Sequence, residues 1–395
     1  MKRKKKVFSS KDKLRVRKSY YTFTREYPQG FVRIERSKRR INKKQVRRGL
    51  LYALCFAVIV CLSMFIVSLG LEISYKPVDD TQQQLVTDTA AQLLKEQGVK
   101  ALYVPYTRLG DEKYLRDVSR EVKKKNGNSV VIDFKTQQGK LVYTSLQENA
   151  VKGKCAIYDN DTVRLALDIF EDEGIAVIAR LYCFEDSTVA NSDTTLAVKY
   201  MDTDVNWLDG SDEKGGKPWL NPYSKSVRNY LAGVAREISA FGISAFMLES
   251  LQFPSGENTS GATYPGEKNQ SKRNAVLRST LNEIKKALPE NALVIFAQSA
   301  DEALEGNDSV YFGSVTDISV DGIAADTRER PLGVAVDKKT DFVSVLSMYS
   351  SVAMRYPGKK IIPLIDMQEY SYSYLRSMKK SGFDSFILYD EAGEY

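Results

Sequence analysis

From Lys100 onward the chain alternates short, nearly continuous apolar runs with longer segments in which apolar residues recur at i, i+3, i+4 and i+7. The short runs are ALYVPY (101–106), SVVIDFK (129–135), IAVIARLYCF (175–184), SAFMLESL (244–251), ALVIFAQ (292–298), DISVDGIA (317–324), KIIPLID (360–366) and FDSFILYD (383–390). Between them lie helical stretches such as DEKYLRDVSREVKKK and SVRNYLAGVAREISAFG, several ending in Gly or Asn before the next run. A strand apolar along its whole length is buried on both faces, which is the signature of parallel pairing under a cover of helices. Eight such units predict a (β/α)8 TIM barrel over residues 98–395. The alternative is a doubly wound open sheet. Against it, the first strand runs into YTRLGDEKY, whose single glycine cannot build a phosphate-binding loop. DFKTQQGKLVYTS has the form of a small hairpin inserted after the second strand, and residues 185–222 form a long loop after the third.

The region ahead of this rhythm is a different polymer. Residues 1–48 carry 20 Lys and Arg against Asp12, Glu26 and Glu35, so the net charge of +8 is concentrated there and the remainder is acidic. No charged residue occurs between Arg48 and Glu72, and Leu50–Leu71 is apolar nearly throughout. As a helix it would reach about 33 Å, enough for a hydrocarbon core of roughly 30 Å. A secretory signal peptide has a shorter apolar region and a small-residue cleavage site. The pattern therefore predicts a basic cytoplasmic tail (1–48), one transmembrane helix (49–71) acting as an uncleaved anchor, a polar stalk (72–97) and an outer barrel. The expected place is the cell membrane, as a single-pass protein with the N-terminus cytoplasmic and the barrel extracellular. The tail could bind nucleic acid through MKRKKK and RSKRRINKKQVRR, with YYTF to stack on bases. Because it abuts a membrane span, it is read instead as an orientation signal lying against anionic lipid, and no nucleic-acid partner is expected.

The sequence contains no histidine. This removes Ser-His-Asp and Cys-His catalysis and every His-ligated metal site, and neither metal nor cofactor is expected. Cys55 and Cys61 fall in the apolar span. Cys155 and Cys183 could form a disulfide or remain half-buried thiols. In a TIM barrel the functional groups stand at the C-terminal ends of the strands. Those ends offer Asp133 and Lys135, Arg180 and Asp186, Glu249, Asp321, Asp366, and Asp390 with Glu391. The fifth strand offers Gln298, Asp301 and Glu302. A rim rich in carboxylates and free of imidazole suits glycoside hydrolysis, which runs on two carboxylates without histidine or metal. Loop aromatics Trp207, Trp219, Tyr223 and Tyr264 could supply platforms for sugar rings. Strand-end acids can equally be salt-bridged and loop aromatics simply packed.

Several blocks fall in a fixed order: VVIDFKTQQGKLVYTS, IAVIARLYCFED, WLNPY, GISAFMLESLQFP and GFDSFILYDEAGEY. Together, from about Val99 to Tyr395, they resemble a family of extracellular bacterial barrel proteins classed by fold as glycoside hydrolases and distantly similar to alpha-amylase-like barrels. By position, Asp133, Lys135 and Gly139 match the family's second-strand motif, and Arg180, Phe184 and Asp186 its third-strand block. Trp219, Asn221, Pro222 and Tyr223 match its Trp-Asn-Pro-Tyr element. The family's fourth-strand motif, Phe-Asp-Tyr-Val-Arg-Phe-Pro, is Leu248-Glu249-Ser250-Leu251-Gln252-Phe253-Pro254 here, so its Asp, Tyr and Arg become Glu, Ser and Gln. The resemblance implies a barrel acting on an envelope or extracellular polysaccharide, or on a peptidoglycan-type glycan. Glu249 would be nucleophile or base, and Asp366 or Asp133 its partner. Lys135, Arg180, Asp186, Trp219, Asn221, Tyr223, Gln252, Asp321 and Asp390 would contact substrate. The changed fourth-strand motif leaves a second reading open, a catalytically silent barrel that binds glycan or protein at the cell surface.

Overall fold

In the computed structural model the described residues are 90–257, 259–305, 308–313, 319–326, 342–367, 372–390 and 392–393. The basic tail, the apolar span, residues 72–89 of the expected stalk and Glu391 lie outside them. Among the described residues no helix is long and apolar enough to cross a membrane.

Among the described residues ten strands are present: β1 (Lys100–Val104), β2 (Ser129–Lys135), β3 (Ala176–Tyr182), β4 (Lys199–Tyr200), β5 (Ala245–Glu249), β6 (Ala262–Thr263), β7 (Leu293–Ser299), β8 (Gly322–Asp326), β9 (Lys360–Asp366) and β10 (Phe386–Tyr389). Eight of them form one closed parallel barrel in the order β1-β10-β9-β8-β7-β5-β3-β2. Closure through β1 on β10, with Ala101 opposite Ile387, rules out the open sheet. The helices fall where the apolar periodicity places them and begin at polar caps. Asp111 accepts from the Tyr114 amide (3.0 Å) ahead of Glu112–Lys124, and Asp159 accepts from Thr162 (2.8 Å) ahead of Asn160–Asp172. The expected hairpin after the second strand is a tight reversal in which Lys135 bridges Leu141 antiparallel. The long loop after β3 carries β4, which pairs antiparallel with β6 from the loop after β5.

Side chains alternate along each strand between the barrel interior and the helix layer. The interior cluster contains Ala101 and Tyr103, Val131, Ile178, Ala245 and Met247, Leu293, Ile295 and Ala297, Ala324, Ile362 and Leu364, and Ile387 and Tyr389. The helix 90–97 adds Ala91 and Leu94 to this cluster, so the last residues read as stalk pack into the barrel core. Continuing each interior series by two residues reaches Asp133, Arg180, Glu249, Ser299, Asp326 and Asp366, and this register delivers polar groups to the mouth. A register shift between Asp133 and Lys135 breaks the alternation on β2. The lysine is thereby aimed away from the barrel axis, as bulges re-aim side chains.

The sixth barrel strand departs from expectation. The pattern places it at 317–324 with Asp321 among its mouth residues. The strand is Gly322–Asp326, and Asp321 stands before its first residue, at the opposite end of the barrel. There its carboxylate accepts from the Val294 amide (2.8 Å) and lies 3.7 Å from Lys95. Asp326 occupies the mouth position instead.

Candidate active site

Two buried ion pairs form the foundation of the mouth. Asp133 and Arg180 are cross-strand neighbours on β2 and β3. The guanidinium donates through Nε to Oδ1 of Asp133 and through a terminal nitrogen to Oδ2 at 3.0 Å, while the Tyr103 hydroxyl donates to Oδ2 at 2.8 Å. Arg180 is enclosed by the rings of Tyr103, Tyr182 and Tyr389, at 5.1, 5.2 and 5.5 Å from their centroids. Burial is the largest single influence and works against its charge, but the attraction and hydrogen bonds of Asp133, with Tyr182 and Glu249 added, together outweigh it and hold the guanidinium above its usual pKa. Asp133, expected as a partner of Glu249, has both its oxygens engaged as counter-ion to Arg180. The second pair is Lys135 and Asp186, joined at 2.8 Å with both side chains fully buried. Lys135 also donates to the Tyr182 carbonyl (2.8 Å), and Asp186 caps the helix Ser187–Ser192 by accepting from Val189 (2.8 Å). Gly139 completes this unit: its φ is +86° and a Cβ there would lie 1.8 Å from Oδ1 of Asp186. Lys135, Arg180 and Asp186, all expected to contact substrate, are buried in these pairs beneath the mouth.

The expected aromatic element is divided. Trp219 is 4% exposed, and its indole donates to Oδ2 of Asp209 at 3.0 Å, with part of the residue at the mouth. Asn221 is buried, donating to the Pro265 carbonyl (2.8 Å) and accepting from the Tyr223 amide (3.0 Å). Tyr223 donates to Glu267 (3.2 Å) and lines a shallow depression beside Arg228 and Lys272 that is separate from the mouth. Trp207 and Tyr264 are buried. The rings that line the mouth are Tyr182, Tyr389 and Trp219.

Above the ion pairs opens a cavity of about 880 Å³. Of the residues expected at the site, it gathers Glu249, Asp366, Asp390, Gln252 and Trp219, with Gln298 and Glu302 from the fifth-strand candidates, and it adds Tyr182, Glu185, Asp209, Asp326 and Tyr389. Glu249, the last residue of β5, is half-buried. Met247 beneath it belongs to the barrel interior and Leu251 to the layer outside, so neither seals the carboxylate off. The charge of Arg180 is close enough to act on Glu249. Ser250, which follows, adopts the left-handed conformation at φ 50°, unusual for a residue with a side chain. Its hydroxyl lies 2.8 Å from Oε2 of Glu185, while Gln137 donates to Oε1 at 2.5 Å. Burial pushes the Glu185 carboxyl above the usual carboxylate range and nearby Asp209 adds to this, against the opposing pull of the two hydrogen bonds. Gln252 accepts from the Tyr311 hydroxyl (3.0 Å), which also lies 3.2 Å from Glu302. Gln298 donates to the Tyr356 hydroxyl (2.9 Å), and its buried carbonyl oxygen has no hydrogen-bond partner.

Sequence reasoning missed Glu185 because it lies one residue beyond the apolar run of β3, beside the Asp186 that carries the family motif. It missed Asp326 because an earlier acid, Asp321, falls inside the same apolar stretch. Among the described residues no group of three Asp, Glu or Cys side chains is arranged to hold a metal ion. Cys155 and Cys183 are buried free thiols, and burial raises them to about 11 and about 12, so neither is a nucleophile near neutral pH.

A family model described as "Putative glycosyl hydrolase domain" matches residues 101–305, just over half of the chain, and the chain belongs to that family. No protein of curated function matches the sequence. Among solved structures, a hypothetical protein from Ruminiclostridium thermocellum is 23% identical, with a TM-score of 0.44 over 49% of this chain and 96% of its own. An alpha-galactosidase from Thermus thermophilus is 14% identical, with a TM-score of 0.45 over 78% of this chain and 62% of its own. An exo beta-N-acetylglucosaminidase from Vibrio harveyi is 10% identical, with a TM-score of 0.43 over 67% and 41%. The chain thus spans less than two thirds of either of these two enzymes.

Proposed function

We propose that this member of the glycosyl hydrolase family cleaves glycosidic bonds of an envelope or extracellular polysaccharide in the acid-lined mouth of its barrel. The observation that carries the reading is the placement of Glu249. It ends β5 on the inward-facing register, opens to the cavity, and shares that cavity with Asp366. Two carboxylates flanking a scissile bond are what glycoside hydrolysis requires: one acts as acid, the other as nucleophile or as base for water. Glu249 serves as nucleophile or base. Tyr182, Tyr389 and Trp219 offer ring surface to the sugar. Arg180, held rigid by Asp133 and three tyrosines, supplies the local cation that the family's arginine at the Gln252 position would otherwise provide.

Gln252 also favours a second reading, in which the barrel binds glycan without cleaving it. Its amide is tied to Tyr311, and among the described residues that line the cavity there is no lysine or arginine. Turnover of a polysaccharide panel by the wild type and by Glu249→Gln separates the two readings. For the whole chain, the charge asymmetry around Leu50–Leu71 supports a single-pass anchor with the tail cytoplasmic and the barrel outside. Membrane and anionic lipid are then partners of the first 71 residues, and glycan is the partner of the barrel.

A further inference from the structure

We propose that Glu185 is the proton donor of this site, facing Glu249 across the ends of neighbouring strands. The assignment rests on the hydrolase reading of the mouth and names a residue in it that the family motif does not. The geometry begins with the register of β3 and β5. Tyr182 pairs with Glu249, and beyond the strands the pairing continues as the Cys183 amide donates to the Glu249 carbonyl (2.8 Å) and the Phe184 amide to the Ser250 carbonyl (3.2 Å). Glu185 is the next residue, and its side chain lines the same cavity as Glu249.

The left-handed backbone of Ser250 is the second part of the argument. It brings the Ser250 hydroxyl to Oε2 of Glu185, so the residue following one carboxylate fixes the other. Gln137 donates to Oε1 and the Ser250 hydroxyl to Oε2, so both oxygens are fixed at the edge of the cavity and each keeps a second lone-pair site on which the proton can sit. The groups acting on Glu185 are Ser250 and Gln137 by hydrogen bonding, Asp209 by repulsion and Lys135 by attraction, with burial the largest. Their sum raises the pKa of the carboxyl, the direction a general acid needs.

In the reaction the bond between C1 and the glycosidic oxygen breaks with its electron pair going to oxygen. The Glu185 proton moves to that oxygen, and the alcohol leaves. Water supplies the new oxygen at C1 by one of two routes. Where Glu249 has displaced the alcohol, the Glu185 carboxylate takes the proton of the water that then displaces Glu249. Where Glu249 is the base, it takes that proton itself, and solvent returns Glu249 to its carboxylate and Glu185 to its acid. Asp209, beside Glu185 and bonded to Trp219, disfavours a second negative charge there.

The experiment compares wild type and Glu185→Gln on methyl and 2,4-dinitrophenyl glycosides of glucose, galactose and N-acetylglucosamine in both anomers. Dinitrophenolate leaves without a proton and methoxide does not. Glu185→Gln should lose about 10²–10⁴-fold on the methyl glycoside that the wild type cleaves, and far less on its dinitrophenyl counterpart. The alkaline limb of the wild-type pH profile should disappear. Equal losses on both leaving groups, in an active wild type, would overturn the assignment alone. Silence of the wild type on the whole panel would sink the hydrolase reading and the assignment with it. A second measurement needs no substrate. A carboxyl whose folded pKa is raised gives stability that is present below its unfolded pKa and is lost as pH rises through the folded value. The melting temperature of Glu185→Gln minus that of wild type should therefore be smallest near pH 4 and grow toward pH 8. A flat difference would mean that folding leaves the Glu185 pKa at its unfolded value, so that the carboxyl is ionised near neutral pH and is not set up to donate a proton.

Discussion

Lys135 is a motif residue whose charge is engaged within the fold. Its ammonium is fully buried against an equally buried Asp186, and the same aspartate blocks any side chain at Gly139. Removing one partner of such a pair strands a charge in the interior, at a cost of about 3–5 kcal/mol. Lys135→Met is expected to lose stability on that scale, read as a lower denaturation midpoint in urea. A mutant as stable as wild type that had lost glycan binding would return Lys135 to the substrate-binding role expected from sequence. Asp133 and Arg180 follow the same logic one layer nearer the mouth. Sequence placed all of these residues at strand ends but could not show that they pair with one another. Pairing depends on cross-strand register and on the shift after Asp133, neither of which a one-dimensional pattern carries.

At the scale of the strand, apolar runs located all eight barrel strands, and for β2 and β9 the boundaries coincide with those read from sequence. Runs enclosed by clear turns left no choice. β8 was displaced because DISVDGIAAD offers two acids that could close the run, and the apolar pattern alone does not choose between them. The chain resolves this by using Asp321 to hold Val294 and Lys95 at the N-terminal end. Such a half-exposed pair contributes at most about 1 kcal/mol. Asp321→Asn should therefore leave turnover unchanged, whereas Asp326→Asn, at the mouth, should weaken binding of the cleaved polysaccharide. Steady-state kinetics on the two variants would check this, and the reverse outcome would place the site at the wrong end of the barrel. Glu185 was not legible for a related reason: its role depends on Ser250, 65 positions away, adopting a left-handed turn.

For the molecule as a whole, composition divides the chain more sharply than any motif. A strongly basic start, an uncharged apolar stretch and an acidic remainder are what support the proposed single-pass anchor with the barrel outside. Protease added to spheroplasts should digest residues 72–395 and leave a tail fragment that an antibody against residues 1–48 still detects. Protection of the barrel would reverse the orientation and remove the extracellular glycan from consideration. The closed barrel itself was legible from eight runs and their helices, with the lack of a Gly-rich loop after the first strand weighing against a doubly wound open sheet.

The central claim is that Glu249 takes part in cleaving a glycosidic bond. Release of reducing ends from a panel of bacterial envelope and extracellular polysaccharides, by wild type and by Glu249→Gln in parallel, tests it most directly. The substitution keeps the side chain's shape and removes its charge. The account predicts turnover of at least one polysaccharide by the wild type and a fall of several orders of magnitude in the variant, with the melting temperature little changed. Equal background release by both proteins would contradict it and leave a barrel that holds glycan without cutting it.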